Sequence, residues 1–386
     1  MTEKWAVSDY LSEKGVKKKY YFQLKNNKII SKCRHIPQEA DKQKLISLDG
    51  VVTPSLFNAH THLELTERLY PINRQLAKKE LWDWIIEVVK EKRSRTEKEF
   101  EKNIKKGERY LLKKGIGRVL DIRSVLLNSP LFFHNNLKGI VFFEVLGYDE
   151  AVFQKKWQDF LKFYDSNSDI SRIGLSIHSL YTTPIKKAKE LVKFAKEKGL
   201  IIMMHMGEKA EEKKFLFEND FSGFRKIFRD AMLPSFKFKS FQEIIDYLEL
   251  GSESILVHCT QFTEKDFEEV KKRDVNVVVC PRSNLYFTGK MPNIEVIIDL
   301  EIKWAIGSDS LFTNKNLSVF EDGKLIVKKF PHISQVKDHV LKAIFYGYER
   351  ITDKKDNNNQ YLYFENNDLF NSKYRWLSEV LNGQSF

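Results

Sequence analysis

The chain has 386 residues, 42% of them hydrophobic, so it can bury a large core, and it carries a formal charge of +12. No stretch is apolar for long enough to cross a bilayer as a helix. The first residues also lack the basic start and apolar stretch of a signal peptide, so the expected location is the cytoplasm and no membrane partner is expected. Three cysteines, Cys33, Cys259 and Cys280, with no short-spaced pair, argue against a disulfide framework. The positive charge invites a nucleic-acid reading, because clustered Lys and Arg are the footprint of phosphate binding. The lysines are instead spread through stretches such as 186–198 and alternate with Glu, which marks solvated helix faces and makes nucleic acid a disfavoured partner. Residues 17–19 and 90–114 are the remaining places for a phosphate-binding or membrane-surface patch.

In chain order, residues 20–48 read as short strands with a turn at Asn26-Asn27. Short Val- and Ile-rich runs follow at 51–57, 116–122, 139–146, 173–177, 200–204, 254–257, 275–279 and 302–306. They are too short for most helices and are apolar on both faces, as buried parallel strands are. Charged segments of helical period separate them, at 150–164, 184–198, 262–273 and 292–300. Strand then helix, eight times over, is the pattern of an α/β fold of the (β/α)8 TIM-like barrel type. The barrel is expected over 51–349, with a small β domain formed by 1–50 and 350–386.

Polar chemistry follows every run: His60 and His62, Asp121, Glu144, His178, His205, His258, the turn Cys280-Pro281-Arg282-Ser283-Asn284, and Asp309. In such a barrel the carboxyl ends of the strands converge on one mouth. Five of the nine histidines occupy these ends, and only His35, His134, His332 and His339 fall elsewhere. His60 and His62 are two apart on an extended segment and project to one side, where both can grip a metal. With His205 and Asp309 they make a set of three nitrogens and one oxygen, which suits one divalent ion, zinc or iron. Such an ion lowers the pKa of a bound water towards ~7 and supplies a hydroxide nucleophile. Asp309 can hold that water and take its proton, His258 can contact the developing centre, and Glu208 in His205-Met206-Gly207-Glu208 is placed to shuttle protons.

The motifs Thr53-Pro54-Ser55-Leu56-Phe57-Asn58-Ala59-His60-Thr61-His62, His178 with Tyr181-Thr182, His205-Met206-Gly207-Glu208, Val257-His258-Cys259, Cys280-Pro281-Arg282-Ser283-Asn284 and Gly307-Ser308-Asp309-Ser310 occur in the order of the amidohydrolase superfamily, which the chain resembles. The resemblance implies the mononuclear branch of adenosine-like deaminases and chlorohydrolases, because no lysine ends the fourth strand and His178 stands there. Leu63-Glu64, Trp82 to Trp84, Phe143-Glu144-Val145-Leu146-Gly147 and the Cys280–Asn284 turn most resemble the aminodeoxyfutalosine deaminases of menaquinone biosynthesis. That likeness implies hydrolysis of the exocyclic amine of an aminopurine nucleoside derivative, a small-molecule substrate, with Glu144, His178, Trp82, Arg282, Asn284 and Glu64 as substrate contacts. Glu144 could instead be an ion-pair partner at the barrel mouth and Arg282 a surface turn residue. Other chemistries on the same metal set stay open: a chlorohydrolase, a guanine or cytosine deaminase, or an amide hydrolase. A homodimer is left open as well.

The stretch 209–253 is too long for a barrel loop and carries eight phenylalanines, Phe215, Phe217, Phe221, Phe224, Phe228, Phe236, Phe238 and Phe241, so a packed helical insertion that caps the mouth is expected. At the far end, only 360–364, Asn367-Asp368-Leu369 and Leu381-Asn382-Gly383 remain to close a small β-sandwich, which is therefore expected to be reduced.

Overall fold

The computed structural model describes residues 4–26, 28–36, 45–67, 80–127, 133, 136–167, 169–235, 237–355, 360–366 and 368–377. The expected features at Asn27, Phe236, Asn367 and 381–383 lie outside these residues, as does His134.

The chain opens with β1 (Lys4–Ser12), β2 (Gly15–Lys25), β3 (Lys28–Cys33) and β4 (Leu45–Pro54). The barrel strands follow: β5 (Leu56–Thr61), β6 (Ile116–Arg123), β7 (Lys138–Val145), β8 (Ile173–Ile177), β9 (Ile201–Met206), β10 (Ser254–His258), β11 (Asn276–Val279) and β12 (Trp304–Ile306). Near the end come β13 (Tyr361–Phe364) and β14 (Tyr374–Trp376).

The two chain ends pair into one sheet of order β14-β13-β4-β1-β2-β3. It is a single six-stranded sheet among the described residues, where a reduced sandwich was expected. Leu11, Val51, Leu362 and Phe364 join the main core, and Ala6, Tyr10, Phe22 and Val52 form a cluster of their own. The alternation that makes β1 a strand is carried by Ala6, Ser8 and Tyr10, which are buried in turn; the polar Ser8 and Asp9 hide it from a hydropathy reading. The apolar run 48–57 serves two sheets. Pro54, which has no N–H to donate, ends β4, and β5 starts at Leu56, later than expected for the first barrel strand.

The eight central strands form a parallel sheet in sequence order, β5 to β12. Every residue of these strands except Lys138 is buried, which is why the runs read as continuous Val and Ile. Phe57, Leu120, Phe142, Met203, Val257, Val278 and Ala305 belong to one compact cluster contributed by these strands. The sheet closes where its last strand meets its first. The Ser308 and Asp309 N–H groups donate to the His60 carbonyl at 3.1 and 3.0 Å, and the Asn58 amide donates to Ser308 Oγ at 2.7 Å. Covering helices begin at side-chain caps: Thr96 and Glu99 form a reciprocal capping box at Glu97–Lys113, as Thr263 and Asp266 do at Glu264–Lys272. Residues 209–253 contain helices Ala210–Phe217 and Phe241–Tyr247 with 3₁₀ turns at Phe224–Lys226 and Asp230–Met232.

Closure leaves no room at Gly307. A Cβ there would lie 2.6 Å from His60 Cβ and 3.0 Å from Cys280 Sγ. Gly307→Ala is therefore expected to lower the unfolding free energy by about 1–3 kcal/mol, the cost of forcing extra volume into a packed interior. Urea denaturation checks this, and an unchanged midpoint would show that the seam yields freely.

Candidate active site

The barrel mouth opens into a cavity of about 730 Å³. Its walls are largely apolar, formed by Leu65, Trp84, Ile85, Val88, Phe228, Met232 and Phe312, and its polar end is formed by His62, His178, His205, Glu208, His258 and Asp309. Ile227, Phe228, Arg229 and Met232 come from the stretch after β9, so that stretch does roof the cavity.

Strand ends alone do not aim these side chains. The pairing of β5 with β6 shifts register between Asn58 and Thr61, so His60 lies within the irregularity and His62 directly after it. His258 and Asp309 adopt left-handed backbone, with φ of 80° and 57°. Such conformations cost a non-glycine residue roughly 1–3 kcal/mol and persist only where the surroundings over-determine them, as at active sites.

Asp309 Oδ1 lies 3.7 Å from His60 Nε2 and 3.9 Å from His62 Nε2. Its other oxygen accepts from Ser283 Oγ at 2.5 Å and Thr313 Oγ1 at 2.7 Å. The rings of His60 and His205 are centred 5.0 Å apart, and those of His62 and His205 stack at 5.5 Å. His205 Nδ1 lies 2.9 Å from the His178 carbonyl, which can only accept, so His205 keeps a lone pair on Nε2. His60 Nε2 and His62 Nδ1 are buried without a protein partner. Burial, with help from the neighbouring imidazoles, holds His62 and His205 well below the usual histidine range, so they are neutral at neutral pH. Burial pushes Asp309 up, but the contact with His60 outweighs it and holds the carboxyl well below the usual carboxylate range. Imidazole nitrogens without a hydrogen-bond partner beside a carboxylate are the donor set a divalent ion requires: the donor atoms of His60, His62 and Asp309 lie within 4.8 Å of one another, and those of His60 and His205 do so in a second group with His258.

Glu208 is 9% exposed and reaches the same cavity from the other side. Burial first, then the charges of Asp309 and Glu212, push its carboxyl well above the usual range, the opposite direction to Asp309. His258 Nε2 stands 3.4 Å from Glu208 Oε1. Behind Glu208, the buried Glu212 accepts the Glu208 backbone N–H at 2.8 Å, and burial pushes the Glu212 carboxyl up to about 7.

The expected substrate contacts divide. Glu144 and His178 line the cavity; the His178 ring bonds Thr182 Oγ1 at 2.8 Å, and burial lowers it to about 3. Glu64, Trp82, Arg282 and Asn284 do not line it. Glu64 is fully buried and accepts from Lys92 Nζ at 2.8 Å and Ser124 Oγ at 2.7 Å. Trp82 packs on Tyr181, Phe215 and Phe224, while Trp84, on the opposite side of the helix, faces the cavity. Arg282 is engaged by Asp322 at 2.7 Å and by the Asn316 and Ser318 carbonyls, and Asn284 bonds His258 Nδ1 at 3.0 Å.

Lys92 is a cavity residue that sequence reasoning did not single out. It lines the cavity, with Nζ held by Glu64 and 3.8 Å from Glu144 Oε2. Burial disfavours its charge, but those two carboxylates outweigh burial and raise its pKa. Ser283 and Thr313, which hold Asp309, were likewise not anticipated.

Glu212 gives a signed pH dependence. A carboxyl at about 7 when folded and ~4.3 when unfolded binds more proton in the folded state between those values. Its contribution to stability is therefore lost as pH rises from about 5 to about 7, by up to roughly 3 kcal/mol. Glu212→Gln, whose amide oxygen can still accept the Glu208 N–H, is expected to remove that slope. Urea midpoints of both proteins at pH 5 and pH 8 read the difference, and parallel shifts would show that Glu212 does not titrate in this range.

The amidohydrolase family model matches residues 51–344, the whole barrel. An adenosine deaminase of Helicobacter pylori is 22% identical over 311 residues, 78% of this chain and 74% of that protein. A 5'-deoxyadenosine deaminase of Methanothrix thermoacetophila is 22% identical over 298 residues, 74% of this chain and 64% of that one. Among solved structures, Helicobacter pylori aminofutalosine deaminase in complex with methylthio-coformycin superposes with a TM-score of 0.78 at 18% identity, covering 98% of this chain and 95% of that one. Guanine deaminase from C. acetobutylicum with bound guanine superposes with a TM-score of 0.70 at 16% identity, over 94% and 91% of the two chains. With the match extending over the eight strands and every residue of the metal-fitting set, the chain belongs to the amidohydrolase family.

Proposed function

We propose that the protein is a metal-dependent hydrolase of carbon–nitrogen bonds that removes the exocyclic amine of an aminopurine nucleoside derivative, aminodeoxyfutalosine being the favoured substrate. The observation that carries this reading is that the histidine and Asp309 donor set shares one cavity with a second buried carboxyl, Glu208, and that the two carboxyls are shifted in opposite directions, Glu208 up and Asp309 down. Hydrolytic deamination needs both, one group to give a proton to the substrate and one to take a proton from water. Adenosine-type deaminases among the relatives support the substrate class.

His60, His62, His205 and Asp309 would hold a divalent ion, zinc or iron, which would supply Lewis acidity that eases the loss of a proton from water at neutral pH. Asp309, held by Ser283 and Thr313, accepts that proton. Glu208 donates to the ring nitrogen next to the carbon under attack, which lets that carbon take the new C–O bond. The carbon–nitrogen bond to the amine then breaks as the proton collected by Asp309 passes to the amine nitrogen, and the new hydroxyl returns its proton to Glu208, which leaves a ring carbonyl and ammonia with both carboxyls restored. The walls formed by Trp84, Val88 and Phe312 keep bulk water from competing and offer flat surface to an aromatic base. Glu144 Oε1 is buried without a protein donor, which makes it the acceptor for a substrate hydroxyl, with Lys92 beside it as the donor.

Ammonia release by the purified, metal-analysed protein from aminodeoxyfutalosine, adenosine, S-adenosylhomocysteine, guanine and cytosine tests this reading. Release from an adenine-bearing compound, with about one metal per chain, is expected. Metal without ammonia from any of them would move the reaction to another leaving group. Glu208→Gln is expected to keep its metal and lose about 10²–10⁴-fold in kcat, the usual range for a general acid. Loss of metal in that variant would instead make Glu208 a ligand. His62→Ala is expected to lose metal and turnover together while retaining its circular dichroism.

A further inference from the structure

We propose that Asn284 is a positioning residue that fixes the tautomer of His258, making that histidine a hydrogen-bond donor and keeping it out of the metal's coordination. The catalytic part of this inference rests on the deaminase reading; the tautomer itself does not.

Asn284 is 1% exposed and sits in the helix Pro281–Thr288 that follows β11. Its Oδ1 accepts the Cys280 backbone N–H at 3.1 Å. That contact settles which way the amide faces, because the reversed amide would set its NH2 group against another donor. The atom 3.0 Å from His258 Nδ1 is therefore the amide nitrogen, which has hydrogens to give and no lone pair to offer. His258 Nδ1 must accept and so carries no proton, which leaves the ring proton on Nε2.

Nε2 is the nitrogen that faces the site. It stands 3.4 Å from Glu208 Oε1 and belongs to a group with His60 and His205 whose donor atoms lie within 4.8 Å of one another. With a lone pair there, His258 would compete as a ligand. With a proton there, it gives a hydrogen bond to an oxygen that gains negative charge during attack on the substrate. The neighbouring His205 shows the opposite arrangement. Its Nδ1 gives its proton to the His178 carbonyl at 2.9 Å, which frees Nε2 for metal. The two rings stack at 5.5 Å, yet a carbonyl behind one and an amide NH2 behind the other make one a ligand and one a donor. The side chain expected to touch substrate thus acts through His258 instead.

Asn284→Asp tests the proposal with little change of shape. The carboxylate still accepts the Cys280 N–H but offers an acceptor to Nδ1, which draws the ring proton there and leaves a lone pair on Nε2. In zinc-loaded protein labelled with ¹⁵N-histidine, and with His258 assigned from a His258→Gln sample, wild type is expected to show a protonated Nε2 and a bare Nδ1, and the variant the reverse. Its kcat for ammonia release is expected to fall on the order of 10²–10⁴-fold with metal content unchanged; a wrong histidine tautomer costs ~10⁴ in a serine protease. A protonated Nδ1 in wild type overturns the proposal without any variant. An Asn284→Asp protein with the wild-type tautomer, or with wild-type kcat, overturns it too. Should wild type release no ammonia from any substrate, the deaminase reading fails while the ¹⁵N spectrum still decides the tautomer.

Discussion

The seam where β12 meets β5 is the constraint on which the site depends. His60 and Asp309 are 249 positions apart in the chain. They come together because the His60 carbonyl accepts the N–H groups of Ser308 and Asp309, while Asn58 bonds Ser308 through both its amide nitrogen and its oxygen. Gly307, with no side chain, lets the two backbones approach this closely. The hydrogen bonds that close the barrel are thus the same ones that hold a carboxylate against two imidazoles. Neither group could be placed by its own strand; closure of the whole sheet sets their separation.

Around that seam the charges are arranged for chemistry more than for stability. A buried ion pair such as Glu64 with Lys92 gives back in attraction about what it loses in hydration, so it is weak evidence of a stability role. Its effect is to place a lysine head at the cavity wall with its charge intact, between two carboxylates. At the other side, Glu208 and Asp309 are both buried at one cavity and are still shifted in opposite directions. The difference lies in their neighbours, since Asp309 is ringed by histidines and Glu208 faces the like charges of Asp309 and Glu212.

How much of this was legible in the sequence follows from what a sequence can encode locally. The eight strands are visible because each is a Val- and Ile-rich run buried on both faces, and His60, His62, His205, His258 and Asp309 are visible because they end such runs. Which way a side chain then points is not encoded locally. Glu64, Arg282 and Asn284 stand near strand ends, yet each turns into the protein and acts on another residue. Trp82 and Trp84 lie two positions apart, which on a helix is more than half a turn; one is core and the other faces the cavity. Lys92 was illegible because it sits among several Lys and Glu of the helix Leu81–Arg93, and only its contacts with Glu64, with Ser124 just after β6 and with Glu144 of β7 distinguish it.

The backbone strain at the mouth shows where the rigidity of the site comes from. Gly207, His258, Cys259 and Asp309 all adopt positive φ, so the chain turns sharply as it leaves β9, β10 and β12. Each non-glycine case costs energy that the segment cannot recover by itself. The cost is offset by bonds to neighbouring strands: Cys259 N–H to the Met206 carbonyl at 3.0 Å, Gln261 N–H to the Gly207 carbonyl at 2.9 Å, and Asp309 N–H to His60. These bonds join different strands, so none can relax without opening the sheet. The histidines and Asp309 are consequently held in position by the barrel itself, so a metal ion would meet donors already gathered, which would lower the ordering cost of binding it.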